Sequence, residues 1–211
     1  MLFVWYKVSF DEKWSHGSAV CETVYFFVEF VCVFPWKCVS LNNQNRGKIM
    51  DGILRKLPIG IQTFEKLREG DYLYVDKTAL VWRIASTETP YFLSRPRRFG
   101  KSLLLSTFEA YFEGKKELFE GLAIADMEKE WKTYPVFHLD LNAEKYDSPQ
   151  ALVEILSRQL TQWELKYGKG EDEETLSGRF AGVIRRACEQ SGRGVVVLVD
   201  EYDKPLLQAL D

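Results

Sequence analysis

From Met50 onward, apolar and polar positions alternate in blocks that switch between a helical and a strand period, whereas residues 1–49 sustain neither. "IQTFEKLREGD" (61–71) has the spacing of a short amphipathic helix, "YLYVD" (72–76) alternates as a strand does, and "KTALVWRIAST" (77–87) returns to helical spacing. "PYFLS" is a short apolar strand, and "KSLLLSTFEAYFEG" after it is a helix with Leu104, Phe108, Tyr111 and Phe112 on one face, stopped by Gly114. A further strand, "PVFHLDL", follows a turn. Ser148 and Pro149 then supply the N-cap and first-position proline of a long helix whose buried stripe is Leu152, Leu156, Leu160, Trp163 and Tyr167. Leu176, Phe180, Val183, Ile184 and Ala187 mark another helical face, and the acidic run Glu171 to Glu174 before it reads as a solvated loop and helix start. The last block, "GVVVLVDEYDKPL", is a continuous β-branched run, as expected of a strand buried on both faces, and it ends in two acids. Strands and helices thus alternate as in an α/β protein.

The first 49 residues differ in kind. They hold three of the four cysteines, three of the six tryptophans and 11 of the 30 aromatic residues. Their most apolar stretch, "VYFFVEFVCVFPWKCV", is broken by Glu29 and Pro35 and is shorter than the ~20 apolar residues of a membrane span. A signal peptide fits no better, for want of a basic start and a small-residue cleavage site. The reading is an atypical aromatic extension over 1–49, disordered or spurious, with translation starting at Met50 and the domain proper over 50–211.

Composition narrows the class only modestly. A chain of 211 residues, 46% hydrophobic and 28% charged, can bury one sizeable core. The net charge of -3 excludes a surface basic throughout, so any nucleic-acid contact would come from a local patch. Cys21, Cys32, Cys38 and Cys188 form neither a C-x-x-C pair nor zinc-ligand spacing, which points to reduced thiols in a reducing, cytoplasmic compartment.

The chemistry concentrates in "FLSRPRRFGKSLLLS" (92–106). Gly100, Lys101 and Ser102 fill the last three fixed places of the phosphate-loop pattern G-x-x-x-x-G-K-[ST], with Arg95 where the first glycine belongs. Such a loop needs backbone N–H groups at a helix N-terminus, a glycine that lets a phosphate approach, and a cation for the outer phosphates. Arg95 and Pro96 could make the turn off the strand by another path. The whole stretch Arg95, Pro96, Arg97, Arg98, Phe99, Gly100, Lys101, Ser102 and Leu103 is the candidate nucleotide-binding segment. Taken alone, G-K-S also suits an ordinary helix start. The second motif, Asp200 and Glu201 at the end of "VVVLV", is what a nucleotide hydrolase needs elsewhere: one carboxylate for Mg²⁺ and one for the attacking water. On this reading Ser102 and Asp200 serve the metal, and Lys101 and Glu201 the catalysis. Arg95, Arg97 and Arg98 either clamp phosphate or form a solvated basic patch that meets nucleic acid or a partner subunit. His138 reads as a packed strand histidine, and Asp140 beside it as the cap of a strand end.

"LPIGIQTFEKLREGDYLYVDKTALV", "YFLSRPRRFGKSLLLSTFEAYFEGKKELFEGLAI", "YPVFHLDLN" and "VVVLVDEYDKPLLQALD" together resemble the AAA-ATPase-like domain that opens many bacterial proteins, over residues 53–211. In that family "RPRRFGKS" is the usual loop, so Arg95 departs from the generic motif and not from the family. The resemblance implies a three-layer P-loop NTPase with a mainly parallel sheet, incomplete at the C-terminus, which binds ATP and Mg²⁺ and hydrolyses ATP in a longer cytoplasmic protein. It implies no membrane partner, and nucleic acid only through an associated PD-(D/E)XK nuclease-like domain; a homo-oligomer stays open. The alternative is a nucleotide-regulated binding module without turnover. In the family's fold a strand from beyond Asp211 separates the loop strand from the acid strand, so the expectation for residues 1–211 is two unpaired central edges, negligible turnover and aggregation.

Overall fold

The computed structural model describes residues 2–8 by their backbone, and residues 55–87, 90–94, 99–142, 146, 148–171 and 173–205. In chain order the elements are β1 (Leu2–Val8), α1 (Phe64–Glu69), α2 (Thr78–Ala85), β2 (Tyr91–Ser94), α3 (Lys101–Phe112), a 3₁₀ turn (Lys116–Phe119), α4 (Ala123–Met127), β3 (Val136–Asp140), α5 (Pro149–Tyr167), α6 (Leu176–Ser191) and β4 (Val195–Asp200). The capping chemistry read from the sequence is in place for the longest helix. Ser148 Oγ accepts from Ala151 N at 3.3 Å, with Pro149 in the first turn. Thr175 caps α6 in the same way, at 3.1 Å from Gly178 N.

The strands form one sheet in the order β2-β1-β4-β3. β3 and β4 pair in parallel, from Val136 opposite Val196 to Asp140 opposite Asp200. β1 runs antiparallel to both of its neighbours, so β2, β4 and β3 all point one way and β1 alone is reversed. Its register sets Leu2 opposite Ser94 and Trp5 opposite Tyr91 on one side, and Val4 opposite Val199 and Val8 opposite Val195 on the other. The expected pair of unpaired edges between loop strand and acid strand is therefore not found: that slot holds Leu2–Val8. Backbone N–H and C=O groups at the centre of a sheet need partners, and the aromatic, β-branched "LFVWYKV" suits that environment. For these seven residues the reading of an extension foreign to the domain gives way to a ladder on both sides; residues 9–49 lie outside the described residues.

β4 is buried along almost its whole length, and its alternate residues feed two different cores. Val196 and Leu198 join Phe64, Val81, Leu105, Phe108, Phe112, Phe119 and Ile124 from α1 to α4 and the 3₁₀ turn. Val195 joins Phe137 with Leu160, Tyr167, Val183, Ile184 and Ala187 of α5 and α6, while Val199 meets Ile155 of α5, Leu141 and Tyr146. Helices thus cover both faces of the sheet. This explains why "VVVLV" reads as a continuous apolar run and not as an alternation.

Two expectations are corrected here. "YLYVD" forms no strand: only Lys56 and Tyr72 make an isolated bridge, and Leu73 and Val75 face outward at 45% and 69% exposure. Its alternation has another cause, because Tyr74 packs edge-on to Phe64, with ring centroids 5.2 Å apart. The acidic run is not wholly solvated either. Glu173 accepts from both Arg186 guanidinium nitrogens, at 2.5 and 2.9 Å, with 12% of its side chain exposed.

Candidate nucleotide-binding site

α3 begins where the sequence motif says it should. Gly100, the residue before its first turn, has φ 72° and ψ 29°, a left-handed conformation that strains any residue with a Cβ. The first α-helical hydrogen bond onto Gly100 is that from Leu104 N, at 3.0 Å. The N–H groups of Lys101, Ser102 and Leu103 therefore precede the helical ladder, and the N-cap Gly100 has no side chain to cap them. A helix start of this kind favours an anion. Lys101 is only 6% exposed, Ser102 and Leu103 are half-buried, and Phe99 is exposed at 63%. Arg95, Pro96, Arg97 and Arg98 lie outside the described residues.

The acids stand at the end of β4. Asp200 is 6% exposed, and its Oδ1 is buried without a hydrogen-bond partner among the described residues. A buried carboxylate oxygen left in this state costs free energy unless a cation or donor reaches it. Glu201 has φ 55°, one of three non-glycine residues with positive φ among those described. For a residue with a Cβ this conformation is uphill and must be held by its surroundings. Burial and the neighbouring Asp200 charge push the Glu201 carboxyl above its ordinary range, against the Lys101 ammonium, which pulls it down. Lys101 lies near enough to Glu201 for its charge to act on that carboxyl, though about a hundred residues separate them in the chain. Tyr202 leans back across the sheet to Phe92 of β2, with centroids 5.9 Å apart.

Around this centre lies polar structure that the sequence reading missed. His138 Nδ1 is 3.0 Å from Glu109 Oε2, joining β3 to α3. Burial pulls the His138 imidazole down, but the Glu109 carboxylate, with Asp140 and Asp200 behind it, outweighs that and holds it above its ordinary value. Lys101, Leu105 and Glu109 follow one another at four-residue spacing, which puts them along one side of α3. A carboxylate on the side that carries Leu105 was the available signal. Asp140 Oδ1 accepts from Asn142 N at 2.8 Å and so closes the strand end, as read. Asp76 and Thr78 form a second device: Asp76 receives Thr78 N and Ala123 N, at 2.8 and 2.7 Å, and Thr78 Oγ1 receives Ile124 N at 3.1 Å. This pins the starts of α2 and α4 together.

Among the described residues no three His, Cys, Asp or Glu side chains cluster in a way that would hold a metal ion by themselves. The oxygen donors that the two motifs offer are few: the Asp200 carboxylate with its orphan oxygen and the Ser102 hydroxyl. That suits Mg²⁺, which keeps several waters and takes one or two protein oxygens together with phosphates. No helix among the described residues is long and apolar enough to cross a membrane.

Comparison with known proteins gives the family of the chain. An uncharacterized protein in the vnfD 5′ region of Azotobacter chroococcum mcd 1 is 45% identical over 157 residues, which is 74% of this chain and 30% of that relative. The chain therefore spans less than a third of the relative's length. No solved structure matches. A family model described as predicted AAA-ATPase matches residues 58–211, from before α1 through both motifs, and the chain belongs to this AAA-ATPase-like family.

Proposed function

We propose that residues 58–211 are the nucleotide-binding part of a three-layer P-loop ATPase, with MgATP held between the start of α3 and the end of β4. The observation that carries this reading is the juxtaposition of a buried Lys101 with the Glu201 carboxyl, beside the orphan oxygen of Asp200. Lys101 neutralises the outer phosphates, and the first N–H groups of α3 receive phosphate oxygens. Ser102 and Asp200 hold Mg²⁺, which when bound screens the negative charge of the phosphates. Arg95, Arg97 and Arg98 add guanidinium contacts to the same anion.

Glu201 faces the attacking water and accepts its proton as the water oxygen bonds to the γ-phosphorus. The bond from that phosphorus to the bridging oxygen breaks, and ADP leaves with the electron pair. A carboxyl raised by burial is a better proton acceptor than an ordinary one, and the strained backbone fixes where it points. Lys101→Ala should weaken MgATP binding by at least ~10-fold, about 1.4 kcal/mol, in calorimetric titration; unchanged affinity would return G-K-S to an ordinary helix start. Glu201→Gln should keep binding while abolishing phosphate release in the full-length protein.

A further inference from the structure

We infer that His138 is a positioning residue of the nucleotide site, joined through one ordered water to Asp200 and so fixing the carboxylate that faces Mg²⁺; this rests on the nucleotide reading above. Parity along the strands sets which side chains share the space between the sheet and α3. Val136 packs against the core that holds Val196 and Leu198, whereas Phe137 belongs to the core on the other face. His138 and Asp140 of β3, and Asp200 of β4, therefore point to the α3 side, where Glu109 meets the imidazole. The two strands run in parallel, with His138 opposite Leu198 and Asp140 opposite Asp200. His138 and Asp200 are thus diagonal neighbours on one face, and the strand spacing and rise put their Cα atoms roughly 8 Å apart.

The hydrogen bonding in that space is incomplete in a matched way. His138 Nδ1 is 3.0 Å from Glu109 Oε2, but its Nε2 is buried without a partner among the described residues, and so is Asp200 Oδ1. Either atom left in that state costs free energy. The other carboxylates near the ring are engaged: Glu109 by Nδ1, and Asp140 Oδ1 by Asn142 N at 2.8 Å. Behind burial, Glu109 and Asp140, the Asp200 charge also reaches the imidazole. A water with bonds of ~2.8 Å spans roughly 5.6 Å, and buried polar atoms in need of partners are where ordered water is held. The bridge serves both forms of the ring. Nε2–H donates to the water, or bare Nε2 accepts from it, and in each case the water donates to Asp200 Oδ1. An ionised carboxylate has further lone pairs, so Asp200 can still face the cation. Among the described residues no three His, Cys, Asp or Glu side chains gather to hold an ion, so the place of the ring is behind the carboxylate and not on the metal. Mg²⁺ demands near-octahedral ligands at about 2.0–2.1 Å, which a carboxylate held from behind meets better than one free to turn. Partners of this kind are worth about 10–100-fold in metal affinity.

The experiment separates the two ring nitrogens in the 211-residue chain. An asparagine amide reaches about as far as Nδ1 and a glutamine amide as far as Nε2, so His138→Asn keeps the Glu109 contact and loses the water, and His138→Gln does the reverse. ATP affinity is measured by calorimetric titration with Mg²⁺ and with a chelator in its place. In the wild type Mg²⁺ should strengthen ATP binding, and His138→Asn should reduce that gain at least ~10-fold while leaving the metal-free affinity alone. His138→Gln should retain the gain. The opposite order, with Asn harmless and Gln damaging, would show that His138 serves only the contact to α3 and would overturn the proposal. An equal loss with and without Mg²⁺ would also sink it, by placing the ring on the phosphates. A further measurement needs no nucleotide. In the free chain a long-lived water should give a nuclear Overhauser contact to the His138 ring hydrogen on Cε1, and Asp200→Ala should abolish it. No such contact in the wild type would rule the bridge out. A wild type that binds no ATP would sink the nucleotide reading, and the water contact would still judge the link from His138 to Asp200.

Discussion

The two faces of the sheet are held by different physics. On the face that carries α3, the core is aromatic: Phe64 and Phe119 lie tilted at 4.8 Å, Phe119 meets Trp131 at 5.2 Å, and Tyr111 meets Phe112 at 5.1 Å. On the opposite face Phe137 stacks on Trp163 at 4.5 Å within a second apolar core, and there α5 and α6 join through charge as well. Arg179 and Glu164 have 11% and 5% of their side chains exposed and form a bidentate pair, and Glu173 and Arg186 form another beside it. A ring cluster draws its stability from buried area and carries no titrating charge. A buried ion pair offsets a large desolvation cost, so its worth appears mainly when one partner is removed. The nucleotide helix thus rests mainly on packing that carries no titrating charge, apart from the Glu109–His138 contact to β3.

The sharpest break of this comparison is Phe119→Ala. Phe119 is fully buried and contacts three aromatic rings. We expect a loss of about 3–5 kcal/mol in urea unfolding, equal at pH 5 and pH 8. Next comes Arg179→Leu, expected to cost ~3 kcal/mol at neutral pH by leaving Glu164 buried without its partner. Here the pH dependence has a definite sign. The Arg179 hydrogen bond and charge hold Glu164 below its ordinary carboxylate value, and Arg186 does the same for Glu173. Their stabilisation is present above the unfolded carboxyl pKa of ~4.3 and is lost as pH falls through the folded values. Wild type and Arg179→Leu should therefore converge in stability on acidification, whereas wild type and Phe119→Ala should not.

The smallest effect belongs to the junction between β3 and α3. Glu109→Gln should cost about 1 kcal/mol at pH 6. His138 is held above its ordinary value, so its charged pairing with Glu109 contributes fully below the unfolded pKa of ~6.5 and fades as pH rises through the folded value. The penalty should shrink by pH 8.5 in chemical unfolding. This is opposite in direction to the α5–α6 pair, so a stability profile with two limbs of opposite sign would identify each clamp by its own side of neutrality.

What the sequence made legible follows the same division between local and distant causes. Helix α5 was readable from Ser148, Pro149 and an apolar stripe because its cap and its period lie within the segment itself. Gly100, Lys101, Ser102, Asp200 and Glu201 stood out as candidates because the residues of each motif are adjacent in the chain. β1 was not. Its run "LFVWYKV" is apolar at nearly every position and shows no alternation, and its partners are β2 and β4, more than eighty residues away. "YLYVD" misled for the converse reason: Tyr74 turns inward to a ring and not to a neighbouring strand, and burial alone reproduces a strand's period. The Glu109–His138 contact spans 29 residues and two elements, and neither residue announces the other.

The positive φ of Glu201 has a consequence for anyone who evolves or engineers this chain. A left-handed backbone at a residue with a Cβ costs about 1–2 kcal/mol, and glycine or asparagine would relieve most of it. Selection for thermal tolerance alone should therefore enrich Gly or Asn at position 201 early, and each such gain would delete the carboxylate on which the proposed hydrolysis depends. Libraries screened by melting temperature would drift toward robust binders that have stopped turning over, and position 201 would record that drift before any assay did.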